Sequence, residues 1–148
     1  MSIEYVSLRG ETAPPVPEGP KLCSGDDMRI LHNAFLWAYE AAPGLVRSAS
    51  AGDTARSAFV GQWLADLDAT LHTHHESEDQ LLWGKLEQRA PACALHVGQM
   101  RAHHAQVAAL LEEAGPLLAR WRATADPAVG EQLADAYQRM LDVLKVLR

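Results

Sequence analysis

Leu71-His72-Thr73-His74-His75-Glu76-Ser77-Glu78-Asp79-Gln80-Leu81-Leu82-Trp83 carries three histidines and three acids within eight residues, between apolar flanks. Upstream, Val60, Leu64 and Leu67 approach Leu71 in steps of three and four; downstream, Leu81, Leu82 and Leu86 extend the series. Such spacing is one apolar stripe of an α-helix. With Leu71 as reference, the upstream members of the stripe fall within about 40° of it, at 100° per residue. His74 lies about 60° to one side, His75 about 40° to the other, and Glu78 only about 20° away. His72 and Glu76 lie about 100° and 140° off, towards solvent, with Asp79 at the edge near 80°. The stretch therefore puts a carboxylate and one or two imidazoles into the core layer.

The rest of the chain supplies partners for this helix. Gly52-Asp53 starts it, with Asp53 as cap, and it is expected to run to about Arg89. A first helix begins near Ser24, with Asp27 three residues on, and carries Met28, His32, Phe35, Leu36, Tyr39 and Val46. Pro43-Gly44 is a place for it to kink or break before residue 48. After the break at Ala90-Pro91, a third helix carries Leu95, Met100, Val107, Leu111, Leu118 and Trp121, with a bend expected at Gly115-Pro116. Asp126-Pro127 caps a fourth, with Leu133, Tyr137, Met140, Leu144 and Leu147 as its stripe. No strand signal and no repeat is visible. Four amphipathic helices with short connections predict an all-α, up-down-up-down four-helix bundle over residues 24–148. Residues 1–23 hold four of the eight prolines, which forbids a helix and predicts an extended Pro-rich arm.

Composition narrows the class. A chain of 148 residues is one domain, and 48% hydrophobic content suffices for its core. Aromatics at 6%, with abundant Ala and Leu, favour helix over sheet. With 13 Lys+Arg against 19 Asp+Glu, a nucleic-acid surface is not expected. No run is long and apolar enough for a membrane, and no signal peptide is visible. Cys23 and Cys93 are too few for a disulfide framework; one bridge or two thiols are both compatible, and the thiols fit a cytoplasmic setting better.

The histidines carry the chemistry. A carboxylate in an apolar stripe costs several kcal/mol unless it is paired or holds a cation. His74 and Glu78, one turn apart on one face, can reach one ion. Taken alone, this helix is equally well read as a polar core network, or as a helix rotated so that these residues meet water. His104 then lies about 40° from Met100 on the third helix, with His96 about 40° and His103 about 60° off. His32 sits within the first-helix stripe. Three helices each aiming a His inward favour convergence on a metal. Imidazole and carboxylate without thiolate suit iron or manganese, with zinc open.

These residues resemble the hemerythrin-like, HHE cation-binding family over roughly residues 24–148. His74-His75-Glu76-Ser77-Glu78-Asp79-Gln80-Leu81-Leu82-Trp83 is similar to its second-helix signature. His104-Ala105-Gln106-Val107-Ala108-Ala109-Leu110-Leu111 resembles its third, and His32 with Ala34 and Phe35 its looser first. The resemblance implies a four-helix bundle with a non-haem di-iron centre that binds or senses oxygen, peroxide, nitric oxide or iron. It implies His32, His74, Glu78 and His104 as ligands.

Departures qualify that expectation. Met100 stands where hemerythrins proper have a further His, and a thioether suits hard ferric iron poorly. His103 would need a rotated helix to substitute. His96, eight residues before His104, is roughly 12 Å away along the axis. The fourth helix offers neither a His nor an inward acid in its last two turns. Counting back from Pro127 brings it to the metal layer at about residue 146 or 147, where the family's fourth-helix ligands would fall just past Arg148. The expectation is therefore conditional: a di-iron centre bridged by Glu78 if the fourth helix is complete, and otherwise a mononuclear or empty site. An open end exposing Leu141 and Leu144 would invite a homodimer or another partner, so a metal-free interaction module is the alternative. A peroxide- or nitric-oxide-consuming di-iron catalyst is the other alternative, and no nucleophile triad or phosphate loop points to any other enzyme class.

Overall fold

A computed structural model describes residues 26–146. The expected arm, the Ser24 cap and Leu147 lie outside the described residues. Helix α1 spans Asp26–Arg47, α2 Thr54–Leu81, α3 Trp83–Arg89, α4 Ala94–Thr124 and α5 Pro127–Lys145, with a 3-10 turn at Pro91–Cys93. Among the described residues there is no strand. Helices α1, α2, α4 and α5 form an all-α four-helix bundle in which each packs on its neighbours in sequence and α5 closes the ring on α1.

Local chemistry sets the helix ends. The Asp53 carboxylate accepts from the Arg56 N–H at 3.1 Å and caps α2. The Asp126 carboxylate accepts from Ala128 N–H at 2.8 Å, and Pro127 takes the first-turn position where no N–H is missed. Both proline sites expected to disturb a helix, Pro43 and Pro116, lie inside α1 and α4, which continue through them. Two reversals occupy one end of the bundle. Gly52 turns the chain with φ 76°, and Ala125 ends α4 with φ 48°, a left-handed conformation unusual for a residue with a Cβ. The Gly52 N–H donates to the Ala125 carbonyl at 3.1 Å and ties the two reversals together.

The core runs along the bundle through Tyr39, Leu64, Leu71, Val107, Leu133, Tyr137 and Met140, all buried. Burying each such large side chain contributes about 1.5–3 kcal/mol, so packing rather than helix propensity holds the bundle. Helices α2 and α4 come close at Gly61, where an added Cβ would collide with the Arg122 side chain. Ser57, one turn earlier and fully buried, donates to the Arg122 carbonyl at 3.0 Å.

Five expectations are corrected. The second helix is interrupted at Leu82, whose φ of −105° departs from helical values, so α3 starts a new phase. Trp83 turns inward in place of Leu81 and Leu82, which are exposed, because the larger indole buries more surface and finds a partner for its N–H. Leu95 is also exposed: five residues before Met100, it lies about 140° round the helix, and Val97 is buried instead. Leu141, expected at an exposed open end, is buried, because α5 keeps its apolar face on α1 and α4 to that level. Finally His32, in the second turn of α1, is exposed, because the stripe loses its covering neighbours at the rim of the bundle.

Candidate metal centre

The start of α1, the end of α2 and the start of α4 meet at the end opposite the two reversals, and the histidines gather there. On α2, His74 Nε2 stands 3.0 Å from Glu78 Oε1, one turn away. From α1, His32 Nε2 comes within 3.3 Å of His74 Nε2. From α4, His104 Nε2 lies 3.2 Å from the other Glu78 oxygen, Oε2. The fold brings His32, His74 and Glu78 into one group, and His104 reaches that group through Glu78 Oε2. One ligand atom from each of His32, His74 and Glu78 lies within 4.8 Å of the others.

The spacing has a chemical meaning. Glu78 is buried at 8% exposure, and its Oε1 makes no hydrogen bond of normal geometry although His74 Nε2 is adjacent. An unpaired buried carboxylate oxygen is costly. Two atoms bound at about 2.1 Å to one ion, at 90–110°, stand about 3.0–3.4 Å apart. The His32–His74 and His74–Glu78 separations fall in that range. The donors present thus fit a cation held by imidazole nitrogen and carboxylate oxygen.

Electrostatics agree with this division. Burial pushes the Glu78 carboxyl up, but the His104 and His74 imidazoles outweigh it and hold the group down at about 2. Burial lowers His104 too, yet Glu78 and Asp79 beside it reverse the sign and raise it. His32 is lowered, by burial and then by its His74 and His104 neighbours against the pull of Glu78. His75 is pushed down to about 3 by burial and by the His104 ring stacked on it, with centroids 3.9 Å apart and planes 8° off parallel.

The remaining histidines differ in role. His72 is exposed and pairs with Glu76 at 3.6 Å, as the helical phase predicts. His103 is buried alongside His104, with Nε2 donating to the Val143 carbonyl of α5 at 3.1 Å. Burial lowers it. His96 is half-buried and likewise lowered by burial. Phe35 packs 5.8 Å from the His74 ring and Trp83 6.0 Å from the His104 ring, so two buried aromatics flank the cluster.

Sequence reasoning missed two features. Asp79, left at the edge of the stripe, accepts from His104 Nδ1 and from Trp83 Nε1, both at 2.8 Å. Its position four residues before Trp83 was the available signal. Further along α2, the Asp68 carboxylate accepts from Tyr39 Oη on one oxygen and Tyr137 Oη on the other, both at 2.8 Å. Asp68 lies about 60° from Leu71 on the His75 side, so the same helical wheel marks it as inward.

No helix among the described residues is long and apolar enough to cross a membrane. No curated protein and no solved structure matches the chain. Residues 26–143 match the family model of the hemerythrin HHE cation binding domain, and with a histidine–carboxylate cluster on three helices of a bundle the chain belongs to that family.

Proposed function

We propose that the protein is a non-haem iron protein that binds or senses oxygen, peroxide, nitric oxide or iron itself, with His32, His74, Glu78 and His104 as ligands. The observation that carries this reading is the divided Glu78 carboxylate, with His74 on one oxygen and His104 on the other. Glu78 would hold the metal together with the imidazoles on either side of it, His74 and His104. The iron, when bound, supplies affinity for small ligands at a free coordination position. The chain's own part is to fix the imidazoles, keep Glu78 ionised and exclude water with Phe35 and Trp83. Anaerobic loading with Fe(II), metal quantification and exposure to air test the reading. One iron or two retained per chain, with a ligand-to-metal charge-transfer band, is the expected result. No retained iron overturns it.

A second reading is favoured by apolar exposure at the same end. Leu81 is 66%, Leu95 55% and Val146 49% exposed. A bundle using that rim for self-association or another partner would act as an interaction module with or without metal. Sedimentation across a range of concentrations tests this. A monomer at every concentration counts against the homodimer.

A further inference from the structure

We infer that Asp79 and Trp83 are a positioning pair that fixes His104 with its Nε2 lone pair towards Glu78. The inference rests on the reading of His104 as a ligand. An indole N–H can only donate, and an ionised carboxylate can only accept. Asp79 Oδ1 therefore receives Trp83 Nε1–H and His104 Nδ1–H, each at 2.8 Å. A neutral imidazole has one N–H, and Asp79 engages it. Nε2 is left as the acceptor, and Nε2 is the atom 3.2 Å from Glu78 Oε2. In that tautomer the Nε2 lone pair is available to a cation shared with the Glu78 carboxylate.

The break at Leu82 belongs to the same device. An uninterrupted α2 would carry Leu82 inward and Trp83 about 100° further round. The change of phase brings the indole against the His104 ring and onto Asp79. Trp83 is buried at 6% exposure, whereas the Asp79 side chain is 33% exposed. The buried partner thus holds the exposed one in place. A carboxylate behind a ligating imidazole fixes its orientation and raises the basicity of the ligating nitrogen, and losing it typically costs 10–100-fold in metal affinity.

The test has two arms. In metal-free protein at alkaline pH, nitrogen-15 NMR of the imidazoles reads the His104 tautomer without iron. The Nδ1–H form is expected in the natural protein, with a shift towards mixed tautomers in Asp79→Ala. An Nε2–H form in the natural protein overturns the inference. In the second arm, Fe(II) affinity is measured against a chromophoric chelator. Asp79→Ala is expected to lose about 10–100-fold. Asp79→Asn, which keeps the size and an acceptor oxygen, is expected to lose less while folding normally. Trp83→Phe keeps the ring, loses the N–H, and is expected to lose several-fold. Glu76→Gln, on the solvent side, is expected to match the natural protein. Equal affinity in Asp79→Ala, Asp79→Asn and the natural chain overturns the inference and leaves the iron reading standing. A natural chain that binds no iron overturns the iron reading instead, and the tautomer arm still decides what Asp79 does to His104.

Discussion

Asp68 and Glu78 stand ten residues apart on α2, roughly 15 Å along its axis, and each carboxylate meets two ring side chains. Their partners make them different. Asp68 is met by two phenols, which carry their protons at any ordinary pH, because burial and the Asp68 charge push both Tyr39 and Tyr137 well above the usual range. Each phenol donates to one oxygen, so that cluster is complete without any addition. Glu78 is met by imidazoles, which can present a lone pair in place of a proton. Glu78 Oε1 has no hydrogen bond although His74 Nε2 stands 3.0 Å away, and on the proposed reading a cation completes that cluster. The same residue class on the same helix thus serves structure in one place and, on the proposed reading, binding in the other.

The largest expected effect separates the two carboxylates by metal content. Glu78→Ala or His74→Ala is expected to reduce retained iron more than tenfold, while Asp68→Ala and His72→Ala retain it. Equal losses from His72→Ala and His74→Ala would show that the helical phase is wrong. Next comes stability in the absence of metal, read from urea unfolding. Asp68→Ala orphans two buried hydroxyls and is expected to cost about 2–4 kcal/mol. Glu78→Ala is expected to cost less, because its cluster is incomplete and sits at the rim. The reverse order would break the comparison.

The pH dependence has opposite signs in the two clusters. Burial raises Asp68 from its ordinary 3.8 to about 6 against the pull of Tyr137 and Tyr39. Its stabilising contribution is therefore fully present below pH 3.8 and lost as pH rises through about 6. Asp68→Asn should gain on the natural chain by about 1–3 kcal/mol between pH 4 and 7, by urea midpoints. His75, lowered from 6.5 to about 3, does the opposite: stability is lost as pH falls below 6.5. Glu78, lowered from 4.5 to about 2, adds a loss as pH falls through that window. The smallest effect is at the phenols. Tyr39→Phe or Tyr137→Phe is expected to cost about 1–2 kcal/mol each and leave iron content unchanged.

Periodicity made the bundle legible, because the stripes around Leu64, Val107 and Leu133 continue unbroken through the core. The capping acids Asp53 and Asp126 were legible for the same local reason. Helical phase also separated the inward His74 and Glu78 from the outward His72 and Glu76. It misjudged what depends on tertiary contact. The turn at Leu82 accompanies a bond between Trp83 and Asp79 that also engages His104 of α4, and the four-residue spacing of Asp79 and Trp83 does not by itself reveal that partner. The exposure of His32 follows from where the neighbouring helices cease to cover α1. The phenol cluster escaped because Tyr39 and Tyr137 were read for their apolar rings alone, although each carries a donor that must find a partner when buried.

The bond from Gly52 to Ala125 has a kinetic consequence. It joins the α1–α2 and α4–α5 reversals, so the two helical hairpins are fastened at one end like the arms of tweezers. Local opening is therefore expected at the opposite end, where the short α3, the first turns of α4 and the histidines lie. Such partial opening requires less free energy than global unfolding. On the proposed metal reading, an ion would enter or leave through that end, while the fastened base preserves the register to which the side chains return.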